Sequence, residues 1–79
     1  MNEITPKNLS DNRLFEIGKQ IKNLRKTNTN LSAENFAYEK GFDRVQYSRI
    51  EKGTNITIKT LLKVLDTHNL TPKDFFNLF

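Results

Sequence analysis

Apolar residues recur along this chain with a helical period and nowhere with the alternation of a strand. Leu14, Ile17, Ile21 and Leu24 fall on one face behind Ser10 or Asp11 as N-cap, which predicts a first amphipathic helix. Gly18 inside it weakens the helix by roughly 1 kcal/mol against alanine, so it predicts a close contact rather than a break. Lys19, Lys22 and Lys26 form a basic stripe on the opposite face, read as solvated surface. Thr27–Asn30 is a cluster of turn residues, after which Ser32 caps a second helix with Leu31 and Phe36 in staple positions. Gly41 ends that helix, and Asp43 caps a third, with Gln46 where a capping box places Glu or Gln and Gly53 as its stop. Thr57 caps a fourth helix with the stripe Ile58, Leu61, Leu62 and Leu65, ending near Asn69. Thr71-Pro72-Lys73-Asp74 opens a short fifth, with Phe75 and Phe76 expected in the core. The expected organisation is an all-α domain over 11–79 behind a flexible N-terminal arm, 1–10, where Pro6 discourages early helix.

Within this pattern, Ala33–Lys52 has the offsets of a helix-turn-helix: two helices crossing over a short turn, the second free to enter a DNA major groove. At Ala37 the helices approach closely, and a longer side chain would push them apart. Gly41 supplies the positive φ that closes the first helix at little cost. Tyr47 and Ile50, three apart, share the inner face of the second helix, leaving Arg44, Gln46 and Arg49 polar and outward.

Composition narrows the function. Seventy-nine residues support one domain. With no cysteine, disulfides and thiolate metal sites are excluded, and one histidine, His68, makes no metal site by itself; no metal or cofactor is expected. There is no cysteine nucleophile, only one histidine and no pair of carboxylates spaced for a shared site, so an enzyme is not expected, and His68 near the end of the fourth helix is explained by the favourable C-terminal dipole. The net charge of +4 suits a nucleic-acid partner. Neither a membrane span nor a signal-peptide core is present, nor a glycine-rich loop for a small-molecule phosphate, so the expected location is cytoplasmic.

The segments IGKQIKNLRK, LSAENFAYEKG, FDRVQYSRIEKG and ITIKTLLKVLDTHNLTPKDFF stand in the order and spacing of a known family. From Ile17 to Phe76 the chain resembles the XRE family of lambda-repressor-like helix-turn-helix DNA-binding domains, over about three-quarters of its length. The resemblance implies a compact five-helix lambda-repressor-like fold with Asp43–Lys52 as the recognition helix. Arg44, Val45, Gln46 and Arg49 would then read bases: arginine pairs with guanine O6 and N7, glutamine with adenine, and valine touches a thymine methyl. Surface arginines contacting only phosphate are the alternative, and for Gln46 the capping role competes. Ser32, Lys52, Thr54 and Asn55 would contact phosphates. Two positions depart from the family. Ala33 stands where relatives carry a clamping glutamine. Tyr47 replaces a β-branched aliphatic residue, its hydroxyl either packed or emerging beside the DNA backbone. Arg25 and Glu51 match positions that pair in relatives, tying the first helix to the end of the recognition helix.

Such a domain reads too few base pairs alone, so the implied regulator is a homodimer on an inverted-repeat operator in double-stranded DNA. Val64, off the apolar stripe, with Leu78 and Phe79, is the expected dimer surface. A repressor, a controller protein of a restriction–modification system and an antitoxin share this mechanism. An adaptor that kept the fold and lost DNA binding is the alternative from another class.

Overall fold

The computed structural model describes the backbone of residues 6–79 and the side chains of residues 12–79. Among the described residues there are five helices and no strand: α1 (Pro6–Asn28), α2 (Ala33–Lys40), α3 (Arg44–Glu51), α4 (Ile58–Thr67) and α5 (Pro72–Phe76). The expected arm therefore falls outside the described residues for 1–5, while Ser10 and Asp11 are interior residues of α1 rather than caps. Pro6 does not prevent this helix, because at a first helical position its fixed φ fits and its missing N–H would be unpaired anyway. At its other end α1 runs through Asn28, so the turn chemistry falls to Thr29, whose hydroxyl donates to Arg25 O at 2.7 Å and accepts from Leu31 N at 3.1 Å.

The later helices begin at hydroxyl or carboxylate caps. Ser32 accepts from Asn35 N, Asp43 from Gln46 N, Thr57 from Thr60 N and Thr71 from Asp74 N. Each bond satisfies one of the orphan amides that a helix start exposes. Gly41, at φ 79°, closes α2, and the N–H of Phe42 returns to Ala37 O at 2.8 Å, a Schellman closure. Lys63 of α4 adds a lock on this turn: its Nζ donates to Gly41 O at 2.6 Å and lies 4.5 Å from the centre of the Phe42 ring.

Ile21, Phe36, Ala37, Tyr47, Ile50, Leu61, Val64, Leu65 and Phe75 form one buried cluster, to which every helix contributes. Phe36 sits at its centre, with ring centroids 5.1 Å from Tyr47, 6.2 Å from Phe42 and 5.5 Å from His68. Gly18 explains how closely α1 lies on the end of α3. A methyl there would stand 2.9 Å from Gly53 N and 3.0 Å from Glu51 O, and closer still to Ile50 O.

Three expectations about the α4–α5 half are corrected. Val64 is fully buried and is a core residue, not a partner-facing one, while Ile58 is 70 % exposed and Leu62 partly so. The inward row of α4 is Leu61, Val64 and Leu65, continued by His68, whose ring stacks on Phe36 at an interplanar angle of 8°. Phe76 is likewise half-exposed, because a five-residue helix turns only one face inward and Phe75 occupies it.

Candidate nucleic-acid interface

α2 and α3 pack on each other, and α1 packs on α3. This arrangement leaves the outer face of α3 open to solvent beside the N-terminus of α2. The two elements enclose a shallow groove lined by Ser32, Ala33, Glu34, Arg44, Val45, Ser48, Arg49 and Lys52. Three cations from one helix and its cap thus stand together beside the start of another helix, where free N–H groups and the macrodipole favour anions. Arg44, Val45 and Arg49 are exposed in this groove, as are Ser32 and Lys52. Ser32 uses its oxygen as the cap of α2, which leaves its hydroxyl proton available to a phosphate oxygen.

The remaining proposed contacts lie outside the groove lining. Gln46 is exposed on the first turn of α3. Its backbone N–H donates to Asp43 at 2.8 Å, but its side chain makes no bond back to Asp43 N, so only half of the capping box forms and the amide is unengaged among the described residues. Thr54 and Asn55 are exposed in the loop after α3, which leaves the helix through Gly53 at φ 100°.

Beneath this face lies a polar knot. Arg25 donates through Nε to Glu51 Oε2 at 2.7 Å and through Nη2 to Oε1 at 2.9 Å, and its Nη1 reaches Leu31 O at 2.9 Å. One guanidinium therefore joins α1, the end of α3 and the turn before α2. The hydrogen bond that Arg25 donates to Glu51 outweighs burial and holds the Arg25 pKa above its ordinary value. Tyr47 is fully buried against this pair, and its hydroxyl finds no hydrogen-bond partner of good geometry. Burial, then the neighbouring Glu51 carboxylate, push its pKa far above that of a free phenol. The hydroxyl is thus sealed in the interior and does not emerge beside a bound backbone, which corrects that alternative.

His68 is corrected in the same way. Its Nδ1 lies 3.2 Å from Asn28 Nδ2, and its Nε2 is buried without a partner among the described residues. Burial, and secondarily Lys40, lower its pKa below the ordinary imidazole value of 6.5. It is a neutral ring at the core edge rather than a cation on a helix dipole.

Two groove residues carry little signal in the sequence. Ser48 follows Arg44 by one helical turn and can be placed on its face by that spacing alone. Glu34 is ten positions from Arg44 and reads only as an acid in a helix's first turn, yet its Oε2 lies 2.7 Å from Arg44 Nη1.

No helix among the described residues is long and apolar enough to cross a membrane. The helix-turn-helix family model HTH_3 matches residues 21–75. The chain is also similar to the control protein C.MunI of Mycoplasma sp, with 38 % identity over 64 residues, covering 80 % of this chain and 86 % of the relative. No solved structure matches significantly. The chain therefore belongs to the helix-turn-helix family HTH_3, the XRE type of lambda-repressor-like DNA-binding domain.

Proposed function

We propose that this protein is a sequence-specific transcription regulator, repressor-like in action, that binds an inverted-repeat operator in double-stranded DNA as a homodimer. The observation that carries this reading is the groove that sets Arg44, Arg49 and Lys52 beside the N-terminus of α2. An α-helix of ordinary diameter fits the major groove, and α3 stands free on that side. Arg44, Val45, Gln46 and Arg49 are assigned to base edges, and Ser32, Lys52, Thr54 and Asn55 to phosphates. Such a regulator works in the cytoplasm, on DNA.

Half-exposed Phe76, Leu78 and Phe79, clustered at the C-terminal end, support a second copy as partner on that side. The similarity to a control protein favours the controller of a restriction–modification system over a phage-type repressor or an antitoxin.

Selection of preferred sites from a random duplex pool tests the proposal. Recovery of an inverted repeat with half-sites about 34–36 Å apart is the expected result. Absence of any binding to duplex DNA, even at low salt, would overturn it and point to a protein-interaction adaptor.

A further inference from the structure

Glu34 is the one acid on the lining of the groove. A carboxylate on a surface that meets phosphates opposes binding unless something keeps its charge compensated. Here that partner is Arg44, itself a proposed base reader. Arg44 opens α3 and its Cα–Cβ bond tilts back along the helix, toward the start of α2, where Ala33 offers no polar group and Glu34 does. The contact joins a single corner of the guanidinium, Nη1, to Glu34 Oε2 at 2.7 Å. The Nε–H and Nη2–H edge is unengaged among the described residues, and two parallel N–H groups are what guanine O6 and N7 accept. Both side chains are largely exposed, 61 % and 67 %, so in water the pair is weak and its consequence appears only when a duplex excludes solvent from the groove.

We infer that Glu34 is a positioning and specificity-determining residue: it holds the Arg44 guanidinium at Nη1 so that the opposite edge faces a guanine. The inference rests on the reading of Arg44 as a base contact. It gives Glu34 two effects of opposite sign. The carboxylate sharpens preference at one base pair per half-site, because a guanidinium held at one corner samples fewer orientations and loses less freedom on pairing. It also weakens binding to every duplex, because a negative charge stands among phosphates. A residue that only favours the dipole of α2 would also oppose phosphates, but it would leave the preference at the base pair read by Arg44 unchanged.

The test is the random-pool selection repeated with the full chain carrying Arg44→Ala, Glu34→Ala or Glu34→Gln, together with titrations on random duplex. Arg44→Ala is expected to flatten one base position per half-site. Glu34→Ala should cut discrimination at that same position by about five- to tenfold, within the range of one bidentate contact. It should also bind random duplex about two- to fivefold more tightly at low salt. Glu34→Gln keeps an acceptor for Nη1 and should retain the preference while gaining the same non-specific affinity. If Arg44→Ala flattens a position that Glu34→Ala leaves intact, Glu34 does not position Arg44, and the DNA-binding reading stands without it. If Arg44→Ala changes no position, the base-reading assignment falls and the inference with it. Melting curves show whether each variant is folded; both residues are exposed, so little change is expected.

Discussion

Arg25 and Glu51 form a two-point buried ion pair, 2.7 and 2.9 Å, whose side chains are 9 % and 6 % exposed, between the long α1 and the last residue of α3. A buried pair need not add net stability over apolar residues, but removing one partner strands a charge, typically at about 3–5 kcal/mol. Glu51→Ala is therefore expected to lose a large part of the stability of so small a domain, and to weaken DNA binding through misplacement of α3. Chemical denaturation and a duplex titration measure the two effects. An unchanged denaturation midpoint would show that the pair is dispensable.

Tyr47→Phe should be neutral or raise the melting temperature. The ring fills the same space against Phe36 and Phe42, and the variant removes a buried hydroxyl that lacks a good partner. Such an orphan typically costs about 1–3 kcal/mol. A lowered melting temperature would mean that the hydroxyl bonds the Arg25–Glu51 pair in solution.

Gly18→Ala tests the contact of α1 with the end of α3. Alanine gains about 1 kcal/mol in helix propensity, but its methyl would meet backbone atoms of Ile50, Glu51 and Gly53. Overpacking of this kind costs about 1–3 kcal/mol and no flexible side chain can yield, so a net loss is expected. A more stable variant in urea would show that the helices can separate freely.

Stability should fall in mild acid through His68. Because burial depresses its folded-state pKa below 6.5, the unfolded chain binds more protons between the two values. The contribution is complete above about pH 6.5 and is lost as pH falls through the folded value. Lys40 adds to the cost of protonation. Melting temperatures from pH 7.5 to 5 should decline in the wild type and decline less in His68→Gln. Parallel profiles would assign the slope to other groups.

Lys52→Ala and Arg44→Ala should differ in kind. The lysine variant is expected to weaken all duplexes alike and to reduce the salt slope by about one, while the arginine variant relaxes one position of the site. Salt titrations on preferred and random duplexes separate them, and identical behaviour would remove the division into phosphate and base contacts.

Much of the fold is legible because its signals are local. Caps at Ser32, Asp43, Thr57 and Thr71 and the positive φ of Gly41 depend on residues within one turn, and each stands where its side-chain chemistry requires. Gly18 is legible as a close contact because nothing local recommends a glycine there. The exposed set on α3 follows equally from its period, with Tyr47 and Ile50 inward and Arg44, Val45 and Arg49 outward.

Other outcomes depend on what each element meets. The start of α1 at Pro6 shows that proline permits a first turn as readily as it forbids an interior one. The apolar residues of α4 offer two overlapping faces, and the buried one is the face that contains Val64 and continues to His68, stacked on Phe36. Whether Phe75 or Phe76 is buried depends on how a five-residue helix lies against its neighbours. The ion pair of Glu34 with Arg44 joins residues with no periodic relation, across the crossing of α2 and α3. The four later helices, their caps and a basic outer face on α3 are legible along the chain, since these are properties of neighbours, whereas the start of α1 is not. Which apolar residues are interior and which charge faces Arg44 are set by helix crossing, and crossing is fixed by packing the whole core at once.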